Sequence, residues 1–183
     1  MSISIRSHRG ALSLLVAIAT AALLALAVPP PAADAATPNW TGTWKITSLA
    51  SGKTGTSLAA RQAEPDFSAT YTLSTSCSWF GCTAKVTSGP ASSNPTVPWP
   101  PSYRWTGSRW QRDFSWQWDC YQPGAAKVWK PARSTQYFTP QSATSMTGRW
   151  TTTISGGPCN GTVAWNMTAV RVSSPGTQCT VCT

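Results

Sequence analysis

Apolar and polar residues alternate with period two along much of the chain beyond residue 40, as in strands with one buried face. The clearest run is 110–120. Trp110, Arg112, Phe114, Trp116, Trp118 and Cys120 fall on one face, and Gln111, Asp113, Ser115, Gln117 and Asp119 on the other. The aromatic face predicts core and the polar face solvent. Just upstream, Tyr103-Arg104-Trp105 leads into Gly107-Ser108, a pair suited to a two-residue hairpin turn with Gly first. That register sets Trp105 opposite Trp110 and Tyr103 opposite Arg112.

Similar runs rich in Thr, Val, Tyr and Trp occupy 40–48, 67–77, 82–88, 103–105, 127–138, 146–154 and 162–172. No stretch of 12 residues carries convincing helical periodicity. The pattern predicts an all-β fold, a single antiparallel β-sandwich or small β-barrel of about eight strands. Two connections stand out. Residues 48–64 are rich in Gly, Ser and Ala, and residues 89–101 hold five prolines and Trp99. The second must lie outside any central strand.

The first residues follow another pattern. Arg6 and Arg9 precede an apolar run over 11–28, which Pro29, Pro30 and Pro31 end, and Ala33-Asp34-Ala35 supplies small residues for cleavage. This reads as a secretory signal peptide cut after Ala35. The competing reading is an uncleaved anchor, since the run approaches the ~20 residues that cross a bilayer. The expected organisation is a signal peptide at 1–35, a secreted Trp-rich β-domain at 36–175 and a Cys-containing tail at 176–183. The expected location is outside the cell or in its envelope.

Export makes disulfides the default fate of cysteine, and all six cysteines lie beyond the leader. Cys77 and Cys82 flank the turn-like Ser78-Trp79-Phe80-Gly81 and are expected to pair across a hairpin end. Cys120 ends the aromatic run, and Cys159 opens another after Gly156-Gly157-Pro158. Their bridge would close a loop of about 40 residues and add about 4 kcal/mol in the chain-entropy account. Cys179 and Cys182 form a terminal Cys-x-x-Cys. They read as a local disulfide or loose tail, because a redox motif of this spacing opens a helix in a βαβ setting.

Beyond the leader, twelve Lys and Arg face four carboxylates, a net charge of +8. The excess is spread thinly. Besides solubility, in an exported chain it suits an anionic envelope polymer, a lipid or a host molecule as partner, and nucleic acid is not expected. The one histidine, His8, lies in the leader, while eleven tryptophans are present. Without histidine, no Ser-His-Asp or Cys-His centre can form within the mature chain. Zinc would need carboxylates or oxidised cysteines, and no Gly-rich phosphate loop occurs, so no cofactor or metal is expected. Paired carboxylates of the glycosidase type survive as a design, with Glu64, Asp66, Asp113 and Asp119 as candidates. Asp113 and Asp119 share a face but lie roughly 20 Å apart along a strand. The chain therefore reads as a non-enzymatic binding module. The alternatives are a lipocalin-like carrier of a small apolar or amphiphilic ligand, and a glycan-active enzyme.

Arg112, Trp105, Trp110 and Trp99 are the candidate ligand-binding residues. Arg112 is the anomaly, since alternation aims it at the aromatic side. Three arrangements fit: an Arg stacked on an aromatic ring and reaching for water, a cation at the mouth of an aromatic pocket, or a bulge that shifts the register.

Several segments carry a resemblance. They are Trp40-Thr41-Gly42-Thr43-Trp44, Ser76-Cys77 with Gly81-Cys82-Thr83-Ala84, Ser93-Asn94-Pro95-Thr96-Val97-Pro98, Trp116-Gln117-Trp118-Asp119-Cys120, Gly148-Arg149-Trp150 and Cys159-Asn160-Gly161-Thr162-Val163. With these, residues 40–172 resemble small secreted proteins of mycobacteria and related actinobacteria, a family of unknown function with no catalytic residues to carry over. The Cys and Trp layout is also similar to extracellular domains of some mycobacterial Ser/Thr kinases and lipoproteins, which implies a sensing or binding module. Trp40-x-Gly42-x-Trp44 resembles the Gly-x-Trp start of lipocalins.

Overall fold

The computed structural model describes residues 38–172 other than 123, 125 and 127. The leader and the Cys179–Cys182 tail lie outside the described residues. Eight strands form in chain order: β1 (Gly42–Thr54), β2 (Phe67–Ser78), β3 (Gly81–Ser88), β4 (Ser102–Trp105), β5 (Trp110–Cys120), β6 (Val128–Pro140), β7 (Ser145–Ile154) and β8 (Gly161–Arg171). Each pairs antiparallel with the next, and β8 returns to β1, so the sheet closes as a barrel. Closure, of the two architectures expected, removes the exposed sheet edges that invite aggregation.

Alternation sets the inside. On β5, Trp110 and Cys120 are buried and the aromatic residues between them half-buried, while Asp113, Ser115 and Gln117 are exposed. The β4–β5 turn has Trp105 opposite Trp110, with Gly107 at φ 101°, in the left-handed region that Gly reaches without strain. The ladder ends after two rungs, so Tyr103 pairs with Ala84 of β3 rather than with Arg112. The β5–β6 register runs unbroken from Trp110 to Cys120, and Arg112 points inward without a bulge.

Two bridges fasten this frame. Cys77–Cys82 joins β2 to β3 beside their turn, and Cys120–Cys159 ties the end of β5 to the β7–β8 connection. The connection expected over 48–64 is more ordered than its composition suggests. β1 runs on to Thr54, with its β8 register shifted between Leu49 and Thr54. A single turn, α1 (Leu58–Arg61), follows. Ser57 caps it, accepting from the Ala59 amide and donating to the Cys159 carbonyl at 2.6 Å.

The two barrel ends differ. Short turns at 79–80, 106–109 and 141–144 join strands at one end, and longer connections at 55–66, 89–101 and 155–160 cross the other. The short-turn end is plugged. Trp40 is fully buried, its ring 4.8 Å from Tyr103, 4.9 Å from Phe138 and 6.1 Å from Trp110. Gly148 makes room for this packing, since a Cβ there would lie 2.3 Å from the Tyr137 carbonyl oxygen and 2.8 Å from the Phe138 ring.

Candidate functional site

Above the plug the barrel is hollow. A cavity of about 440 Å³ reaches from the centre toward the long-connection end, within the size range of small-molecule sites. Trp116 and Trp118 of β5, Trp150 of β7 and Trp165 of β8 line it, with Trp99 from the proline-rich connection. Their rings form a continuous wall: Trp116–Trp118 and Trp150–Trp165 lie 5.2 Å apart, and Trp116–Trp150 6.4 Å. Period-two alternation put all four strand tryptophans inside.

Polar groups fix the rings. The Trp116 indole donates to Ser134 Oγ at 2.8 Å, and the Trp150 indole donates to Ser134 Oγ and Thr152 Oγ1 at 3.1 and 3.0 Å. Ser134 and Thr152 are buried and bonded to each other, so these polar atoms are satisfied where they would otherwise cost ~1–3 kcal/mol each. Trp165 differs, because its buried indole nitrogen has no partner among the described residues.

Arg112 sits on the same wall. Its guanidinium carbon lies 4.3 Å from the centre of the Phe114 ring and 5.3 Å from that of Tyr103. Nε donates to Gln136 Oε1 at 2.7 Å. The same oxygen accepts from the Tyr103 hydroxyl at 2.9 Å, and Gln136 Nε2 lies 3.3 Å from Met167 Sδ. Gln136 is 3% exposed, so its amide is locked and holds Arg112 in turn. No terminal nitrogen of Arg112 has a hydrogen-bond partner among the described residues, whose one ion pair is Lys53–Glu64. Burial raises the pKa of Tyr103 and, less deeply set, of Tyr71, against the nearby Arg112 charge, which lowers both. Both phenols stay neutral beside the cation.

The four candidates from sequence divide. Arg112 and Trp99 line the cavity, and Trp99, 42% exposed, stands 6.2 Å from Tyr71. Trp110 is fully buried toward the plugged end, with Trp105 half-buried against it at 5.2 Å. Neither belongs to the lining. Gln136 and the Ser134–Thr152 pair were not singled out from sequence, although polar residues in the inward row of β6 were the available signal. Three of the carboxylates have partners of their own. Glu64 is the one on the cavity lining, and it pairs with Lys53 at 2.6 Å. Asp66 accepts from the Ser51 amide, and Asp113 accepts from Gln111 and Thr135 on the outer face.

The roof is the proline-rich connection. β4 is too short to cover β5 beyond its first rungs, and side chains take its place. Asn94 Nδ2 donates to the Gln117 carbonyl at 2.8 Å, and the Gln117 amide donates to Thr96 Oγ1 at 3.0 Å. Pro90, Val97, Pro98, Trp99 and Pro101 then pass over the cavity.

No protein-family model matches the chain, and no curated protein matches its sequence. Its fold is similar to that of a solved structure, the monomer form of the M. tuberculosis PknI sensor domain, with a TM-score of 0.56 and 17% identity over 76% of this chain and 91% of that one. The similarity agrees with the resemblance to extracellular domains of mycobacterial kinases, and at this identity the two chains share a fold.

Proposed function

We propose that the chain is a non-enzymatic binding module of the exported space that holds an amphiphilic small molecule inside its barrel, with the anionic head on Arg112 and the apolar tail among the tryptophans. One observation carries this reading: a half-buried guanidinium on an aromatic cavity wall with no ion pair among the described residues, the one carboxylate on that lining, Glu64, being paired with Lys53. A cation drawn from water without a counter-charge is costly, and a carboxylate or phosphate would supply that charge in a bidentate geometry. An eight-stranded antiparallel barrel with neighbour-to-neighbour connections is also the layout that lipocalins use to hold one ligand. The sensor-domain description of the PknI structure supports a binding role over a catalytic one.

Titration of tryptophan fluorescence with decanoate and with decanol tests the reading. Both are expected to change the emission, because the walls are tryptophan. Arg112→Met should weaken decanoate at least about tenfold, the value of one charge-assisted contact, and leave decanol unchanged. Equal losses for both probes, or no emission change with either, would overturn the proposal.

A further inference from the structure

The molecule exposes one other unusual feature, at the end away from the cavity mouth. Trp79 and Phe80 form the two-residue tip between β2 and β3 and are 92% and 87% exposed. Single exposed apolar residues are ordinary, whereas adjoining large aromatics held out from the body point to a contact surface. The tip is built to stay out. Cys77 and Cys82 are bonded across the strand ends, the Phe80 amide donates to Ser78 Oγ at 3.2 Å, and the two rings meet edge to face at 5.1 Å. A contact made here orders little further chain.

Positive charge predominates around the tip. Next to it on the outer face, Thr83 pairs with Arg104 and Lys85 with Ser102, and both cations are exposed. Arg109 lies in the neighbouring turn 106–109. None of the three turns at this end carries a carboxylate. Glu64, Asp66 and Asp119 belong to the opposite end, and Asp113, the fourth residue of β5 and within range of the Arg109 charge, is the one carboxylate on this half among the described residues. Trp and Phe seat at the headgroup level of a bilayer, and nearby Lys and Arg draw them to anionic lipid.

We propose that the Trp79–Phe80 tip, flanked by Lys85, Arg104 and Arg109, docks the barrel onto an anionic lipid surface. This inference is independent of what the cavity holds. It sets the orientation: the plugged end faces the lipid and the cavity mouth faces away.

Co-sedimentation with vesicles tests it, using phosphatidylcholine alone and phosphatidylcholine mixed in equal parts with phosphatidylglycerol. The full chain should bind the mixed vesicles, bind phosphatidylcholine far less, and release as salt rises. Trp79→Ser with Phe80→Ser should lower that binding at least about tenfold, and Lys85→Gln with Arg104→Gln should lower it on mixed vesicles alone. All four positions are exposed, so melting curves should match the parent. Parent and variants are taken from culture supernatant with the same N-terminus, so the leader does not enter the comparison. Unchanged binding by the aromatic variant would overturn the proposal. So would a parent that ignores mixed vesicles, including one that self-associates through the tip in sedimentation velocity.

Discussion

Arg112 and Gln136 face each other across the β5–β6 ladder, joined by a 2.7 Å hydrogen bond from the guanidinium Nε to the amide oxygen. That oxygen also holds the Tyr103 hydroxyl, so a single buried acceptor serves two donors. Gln136→Leu removes it and strands both. The expected cost is about 1–3 kcal/mol, as for buried donors left unpaired, read as a lower urea midpoint at unchanged slope. Arg112 then loses its tether, and decanoate affinity should fall while decanol affinity holds. Parent-like stability would show that the amide does not carry this triad.

Adjacent residues of β5 should differ sharply. Trp116 packs against Trp118 and Trp150 and bonds Ser134. Trp116→Ala should cost about 3 kcal/mol, the low end for such truncations, since one side of the ring already borders open space. The Gln117 side chain is exposed and only its backbone is bonded. Gln117→Ala should cost under about 0.5 kcal/mol. Chemical denaturation decides it, and equal losses would refute the inward–outward assignment.

The Cys120–Cys159 bridge spans 39 positions, so replacing both cysteines with serine should cost about 2–5 kcal/mol. The Cys159 carbonyl also receives the Ser57 hydroxyl, and α1 should loosen with it. Amide exchange at Ala59 and Ala60 would show this, and unchanged exchange would separate the helical turn from the bridge.

Acid should weaken the fold through Asp113. Hydrogen bonds from Gln111 and Thr135, and then the Arg109 charge, hold its carboxyl below the usual range. A folded pKa below the unfolded one gives stability that is present above about pH 4 and lost as pH falls through the depressed value. Asp113→Asn should flatten the dependence of stability on pH below about 4. At the other extreme, Tyr71 and Tyr103 should ionise later than free tyrosine, whose pKa is about 10, and stability should decline as pH rises past that value. Absorbance titration of the phenols checks this, and ionisation of both at the free value would contradict their burial.

Residues 1–35 read as a cleaved leader. Mass spectrometry of culture supernatant should find a chain starting at Ala36 or within a residue or two of it. Recovery of full-length, membrane-held protein alone would instead favour the anchor.

Much of this molecule was legible because strands with one buried face write their periodicity into the chain. Trp110 to Cys120, the Gly107 turn and both described bridges followed from that signal. Alternation assigns a residue to the inside but does not say whether the inside is filled. Trp116 and Trp118 therefore read as core, and only the joint curvature of eight strands leaves space between them and Trp150 and Trp165. Depth along the barrel was hidden for a related reason. Trp110 shares the inward row with Arg112, yet it falls below the cavity because Trp40, before the first strand, plugs that end. The α1 turn escaped notice since four residues are too few to show a period.

The way the roof is fastened has a kinetic consequence. Five of the thirteen residues in 89–101 are prolines and carry no amide hydrogen, and the amides of Asn94, Thr96 and Val97 are bonded within the segment, so exchange there reports its local turns more than its lifting from the barrel. Gln117 supplies the missing clock. Its amide is held by Thr96 Oγ1 and not by a neighbouring strand, so it can exchange whenever the roof lifts, while the amides of β5 that face β6 wait for the barrel itself to come apart. The ratio of the two rates measures how often the cavity opens in the intact protein, and a bound ligand that closes the roof should slow Gln117 first.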